Sequence, residues 1–231
     1  MIACLRPISI LCLAGLLAAC ASQPSSTLGE LPRTPQANIE QLLQQAAESP
    51  IEQAAALRLS AADLAYKQKD LARASSILEQ VQLESLKPAQ QIYASTLRAE
   101  LDMSRNKPKA ALRALSHPSM ERLGELPVEQ QVRSQLVRAN ALQATGQILA
   151  AARERAYIAP LLSGASATDN QETIWALVSS LPPQPASGAD DDLNGWLQLA
   201  RVTKSAPTLE QQQAAIDEWV AKNPQHPAAQ Q

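Results

Sequence analysis

From Asn38 onward, apolar residues recur along this chain with a helical period. In NIEQLLQQAAES, Ile39, Leu42, Leu43 and Ala46 fall on one helix face, spaced as an amphipathic helix requires. The next stretch, PIEQAAALRLSAADLAYKQKD, opens with Pro50, which suits a first helical turn because the missing N–H would be unbonded there anyway. The same periodicity predicts helices over 70–83, 88–106, 108–116, 127–145, 147–160, 170–180, 191–203 and 208–222, with Pro88, Pro108 and Pro127 at or near helix starts. SGASATDN (163–170) and PPQPASGADDD (182–192) read as loops. Successive helices joined by short turns pack antiparallel. The expected fold is therefore all-α, an array of antiparallel helical hairpins.

A repeat lies within the array. Aligning the chain on Asp70, Lys107 and Gln147 places Ala62, Ala99 and Ala139 eight residues before each anchor, and Ala74, Ala111 and Ala151 four residues after it. Small residues at two such positions let paired helices approach closely, and the pattern resembles the tetratricopeptide repeat. The anchors are 37 and 40 residues apart, against a period of about 34 for that repeat. Leu78 and Leu115 occupy the large apolar position of the second helix, but Arg155 stands there in the third hairpin. Ala65, Asp102 and Leu142 replace the usual first-helix tyrosine.

The first 37 residues follow a different pattern. Arg6, the apolar run Ile8–Leu17, small Ala18 and Ala19, and then Cys20 have the layout of a secretory signal, with an apolar run too short for a comfortable membrane span. Leu17-Ala18-Ala19-Cys20 resembles a bacterial lipobox. The resemblance implies cleavage before Cys20, a diacylglyceryl group on its sulfur and an acyl group on its new amine. Cys4 and Cys12 leave with the signal, so no disulfide is expected. Several acyl chains hold a membrane far better than one. Ala21 rather than Asp after the cysteine implies sorting to the inner leaflet of the outer membrane, facing the periplasm. Residues 20–37 are rich in Ser, Pro, Gln and Thr and too poor in large apolar residues to fold. They form a tether of at most ~60 Å.

Composition narrows the picture further. The chain has 231 residues, 45% hydrophobic, with 3% aromatic and no Phe, so its core is built from Leu, Ala, Ile and Val on helices. The net charge of −2 with scattered cations excludes the clustered basic face that nucleic acid requires. All three tryptophans, Trp175, Trp196 and Trp219, follow residue 163 and read as core anchors of a C-terminal helical cluster.

No constellation of residues points to catalysis. His117 and His226 both precede Pro and read as turn residues. Asp190-Asp191-Asp192 reads as an acidic helix start and lacks the alternating spacing of a calcium loop. Ser104-Arg105-Asn106-Lys107 matches the S-x-x-K of penicillin-recognising serine enzymes, and Lys204-Ser205-Ala206 weakly matches their K-T-G. That chemistry needs a sheet to carry the second motif, and this chain is helical. Glu48-Ser49 and Glu84-Ser85 supply the dipeptide of lytic transglycosylases without the Gly-rich segment that follows it there. The expectation is a non-enzyme with no metal, cofactor or small-molecule substrate.

TIWALVSSLP (173–182), LNGWLQLARV (193–202) and AAIDEWVAKNPQHPA (214–228), together with the lipobox, tether and irregular hairpins, resemble the N-terminal region of the LpoA family. Those proteins are outer-membrane lipoproteins that activate a bifunctional class A penicillin-binding protein. The resemblance implies a non-catalytic scaffold that supports peptidoglycan synthesis, with that glycosyltransferase/transpeptidase as partner. It implies a signal at 1–19, a lipidated tether at 20–37, hairpins at 38–165, a Trp-bearing cluster at 166–224 and, at 225–231, the start of a linker to a second domain. The alternative is a lipoprotein adaptor for another envelope machine, such as outer-membrane protein assembly.

Overall fold

The computed structural model describes residues 38–182 and 193–230. Ten α-helices follow one another: α1 Ile39–Glu48, α2 Ile51–Lys67, α3 Leu71–Glu79, α4 Pro88–Ser104, α5 Pro108–Ala114, α6 Val128–Ala144, α7 Ile148–Ile158, α8 Gly164–Ser180, α9 Asn194–Ser205 and α10 Leu209–Lys222. Among the described residues there is no strand, and no helix is long and apolar enough to cross a membrane. The first helix starts where its cap chemistry says it should. Asn38 Oδ1 accepts from the Gln41 N–H at 2.9 Å, and Gln41 Oε1 accepts from the Asn38 N–H at 2.9 Å, a reciprocal capping box.

Helices α2, α4 and α6 lie side by side, and α3, α5 and α7 each fold back on the helix before them. One turn geometry, used three times, makes these hairpins. Lys69, Asn106 and Gly146 all take positive φ, at 66°, 56° and 80°. The next residue, Asp70, Lys107 or Gln147, sends its N–H back to the carbonyl of Ala65, Asp102 or Leu142 at 3.0, 2.8 and 2.9 Å. This is a Schellman turn, which satisfies carbonyls that a helix end leaves unbonded. The three anchors of the sequence repeat are the N-cap residues of α3, α5 and α7.

These turns differ in how well their residue suits the left-handed conformation. A side chain there clashes with its own backbone, and glycine does not. Around Gly146 nothing lies within 4 Å of an added Cβ, so substitution there tests conformation alone. Lys69→Gly is expected to raise stability and Gly146→Ala to lower it, each by about 0.5–1 kcal/mol. Urea unfolding of the two variants would show shifts of opposite sign.

The structure departs from the sequence reading in several segments. Residues 163–170 do not form a loop, because α8 begins at Gly164. Gly, Ser and Thr are weak helix formers, but a tertiary contact overrides them: Asn170 is buried, its Nδ2 donates to the Arg155 carbonyl at 3.0 Å, and Arg155 Nη1 donates to its Oδ1 at 3.2 Å. A 3-10 helix, Pro118–Glu125, also forms where no element was expected. It buries Leu123, with Leu126 just after it, against Ala89 and Ile92 of α4.

The core is divided. Among the described residues its buried apolar side chains fall into four clusters. One joins α1 to α4, a small one holds Pro118–Glu125 on α4, another lies at the α4–α5–α6 contact around Ala99 and Ala111, and the last joins α6 and α7 to α8 and α9.

Candidate interaction surface

The six repeat alanines lie inside the hairpins. Ala62, Ala99, Ala139, Ala74, Ala111 and Ala151 are all 0% exposed. Leu78 and Leu115 are buried as well. Arg155, the exception in the alignment, is half-buried and bridges helices where a leucine would pack. Its Nη2 donates to Asn140 Oδ1 of α6 at 2.7 Å, and its Nη1 reaches Asn170 of α8. Burial lowers the pKa of this guanidinium.

A polar chain crosses the α2–α4–α6 layer. Asp63 is buried on α2, with Lys67 Nζ 2.6 Å from its Oδ2. The buried Tyr93 hydroxyl of α4 donates to Asp63 Oδ1. Above the Tyr93 ring, 4.7 Å from its centroid, sits the Arg133 guanidinium of α6, within cation–π range. Arg133 in turn donates twice to Glu100 of α4, at 2.8 and 2.5 Å. Burial pushes the Tyr93 phenol well above its usual range; Arg133 opposes this and the Asp63 carboxylate adds to it. Beside this chain, Thr96 Oγ1 and Ser134 Oγ share a buried hydrogen bond of 2.7 Å. The Tyr93–Asp63 bond ties α4 to α2, and the Arg133–Glu100 pair ties α6 to α4.

The C-terminal helices close around aromatic rings. Trp196 and Trp219 are buried, and Trp175 is half-buried against the α6–α9 cluster. His226 is not a simple turn residue. Its ring stands edge-on to Trp196 and Trp219, with centroids 5.3 and 5.1 Å apart. Only glycine at 195 leaves room for it, since a Cβ there would lie 2.3 Å from His226 Nε2. The signal in the sequence was Gly195 one residue before Trp196, and it has meaning only once His226 is placed beside it.

Burial lowers the pKa of His226 below 6.5. The neutral ring is the one that fits, so its contribution to stability is complete above the unfolded value of 6.5. That contribution is lost as pH falls from there through the lower folded value. Tryptophan fluorescence is expected to change over that window, and His226→Phe, which cannot take a proton, should flatten the change.

The remaining candidates are accounted for by local bonds. Ser104 Oγ donates to the Leu101 carbonyl at 2.7 Å, and Lys107 belongs to the next turn. Lys204 Nζ donates to the Leu181 carbonyl, and Ser205 Oγ to Arg201 O at 2.8 Å. Glu48 ends α1 and Glu84 lies in a 3-10 turn, Leu83–Ser85. His117 Nδ1 accepts from the Ser119 N–H at 3.2 Å, as a cap. Among the described residues no three His, Cys, Asp or Glu side chains converge. Cys20, the signal and tether, and Asp190–Asp192 lie outside the described residues.

Known proteins of similar sequence and shape exist. The family model described as LppC putative lipoprotein matches residues 32–231. A protein named penicillin-binding protein activator LpoA from Edwardsiella piscicida is 30% identical over 240 residues, covering 97% of this chain and 33% of its own length. One of the same name from Serratia proteamaculans (strain 568) is 30% identical over 244 residues, covering 97% and 34%. The chain thus spans about a third of the length of these curated relatives. In solved structures, the fold is that of the LpoA N-terminal domain from Haemophilus influenzae (TM-score 0.58, 20% identity, 87% of this chain and 93% of that one). It is also that of the E. coli LpoA amino terminal domain (TM-score 0.61, 22% identity, 84% and 88%). With the match to the family model running through the whole hairpin array and the tryptophan-bearing helices, this chain belongs to the LppC lipoprotein family.

Proposed function

We propose that this chain is the anchoring and presenting part of an outer-membrane lipoprotein that supports activation of a bifunctional class A penicillin-binding protein. The observation that carries the reading is the alignment of 97% of the chain with relatives named as penicillin-binding protein activators. In this reading Cys20 carries the lipid on the inner leaflet of the outer membrane, and residues 20–37 are the leash. The hairpins, residues 38–165 with the cluster at 166–224, form a stiff spacer in the periplasm. The chemistry belongs to the partner.

The physical logic favours a spacer of this kind. A flexible leash presents its cargo poorly, whereas stacked hairpins hold a defined direction without that entropy cost. The test is a polymerisation and cross-linking assay on class A synthases with this chain, with a full-length family member from the same source, and with neither. Stimulation or binding by the full-length protein is expected, and its complete absence would remove the assignment. Recovery of barrel-assembly proteins instead of a synthase by in-cell crosslinking would favour the adaptor reading. Cys20→Ser should abolish lipid labelling and membrane attachment while leaving the helical circular dichroism unchanged.

A further inference from the structure

Lys67, Arg73, Arg122, Arg133, Arg138 and Lys222 each face a carboxylate. Three others converge differently. Lys107, Lys109 and Arg113 line a groove of about 540 Å³ between the α4–α5 turn and the C-terminal end of α6, with Pro108, Ala110 and Ala144 also lining it. All three cations are exposed. No carboxylate lines the groove, and no hydrogen bond or ion pair occupies these three side chains among the described residues. In the sequence these cations look scattered, because Arg113 is a helical turn away from Lys109 and the α6 wall lies some thirty residues further on.

We propose that this groove docks an extended acidic peptide segment of a partner, with carboxylates at alternate positions. The spacing fits. Lys109 and Arg113 are four apart on α5 and so share one face, with Cβ atoms about 6 Å apart. Carboxylates two residues apart on an extended chain point the same way, about 6.6 Å apart. Lys107, on the preceding turn, meets a third. Asn106 stands at the same groove as a neutral group for the peptide main chain. A sugar polymer fits less well, since no aromatic side chain lines the groove to stack on its rings. A flat lipid surface fits less well than a segment narrow enough to enter between two helices. The groove would serve any partner bearing such a segment, a synthase or another protein.

The competing account is that these cations only complement the negative ends of α4 and α6. The experiment separates the two. The full chain is titrated with a fluorescein-labelled Glu-Ala octapeptide, a Lys-Ala octapeptide and phosphatidylglycerol vesicles, at low and at physiological salt. The acidic peptide is expected to bind, weakening as salt rises. Lys107→Glu/Lys109→Glu/Arg113→Glu should weaken it by at least about tenfold and make the Lys-Ala peptide the better ligand. Lys109→Gln/Arg113→Gln, which adds no repulsion, should weaken binding less but measurably. The proposal is overturned by absence of binding, by equal binding of both peptides, by binding only to vesicles, or by variants that lower the melting temperature and leave peptide binding unchanged.

Discussion

Ala99→Leu is expected to separate the middle hairpin. Ala99 is fully buried on α4, in the cluster that holds Ala111 and Leu115 of the α5 hairpin and Ala141 of α6. Helix separation is set by the side chains at the contact, and here Ala99, Ala111 and Ala141 present only methyl groups. Leucine adds three carbons at a position with no exposure, so α4 must move away from two helices or the new side chain must leave its rotamer wells. Overpacking of this kind costs about 1–3 kcal/mol, and more where two interfaces are strained together. A domain of this size loses roughly 2–4 °C of melting temperature per kcal/mol. The control is Ala72→Leu, exposed on α3, which should stay within about 0.5 kcal/mol of the parent. Thermal melts of both variants decide the matter: equal melting temperatures would mean that the alanines are not what sets the helix spacing. Ala139→Leu should repeat the effect one hairpin later.

Arg133→Met should cost about 3 kcal/mol, as expected when one partner of a buried ion pair is removed. The arginine side chain is 23% exposed and that of Glu100 12%, so solvent compensates little. Methionine keeps the length and packing of the stem but leaves the Glu100 carboxylate without its two donors and the Tyr93 ring without its cation. The loss comes mostly from that stranded carboxylate. Glu100→Gln in the same background should therefore recover part of it, while Glu100→Gln alone should be milder than Arg133→Met. If the two single changes simply add in chemical denaturation, the residues do not act as a unit and the α4–α6 tie is weaker than its geometry indicates.

Much of the fold was legible because one physical rule repeats. The alanines at 62, 99 and 139 and at 74, 111 and 151 could be aligned because close helix contact tolerates little else, and the same alignment lands on the N-caps of three helices. The Schellman turns were less visible: glycine marks Gly146, but Lys69 and Asn106 occupy the same conformation without the usual signature. Residues 163–170 were misread because their helix is fixed by Asn170 meeting Arg155, a contact made across a hairpin that composition cannot reveal. Arg155 spoiled the repeat alignment for the same reason, since it replaces packing with hydrogen bonds. His226 was hidden because its role depends on Trp196, Trp219 and Gly195 arriving from two other helices. The candidate surfaces were the least legible part. Cations at 107, 109 and 113 become one surface only when α6 closes the groove.

The divided core has a mechanical consequence. A body with one continuous core resists tension until it fails as a whole. Here the buried side chains of the described residues gather in four clusters, three of which share α4, with Met120 and Leu112 bridging neighbouring ones, so the α1–α4 end and the α6–α9 end can yield separately. The patches differ in size, and the least cohesive opens first. Pulled from residues 38 and 230 in an optical trap, the protein is expected to lengthen in several steps and to shorten again step by step on relaxation. A single all-or-none rip would mean the patches are welded. Stepwise yielding of this kind is the behaviour of a shock absorber.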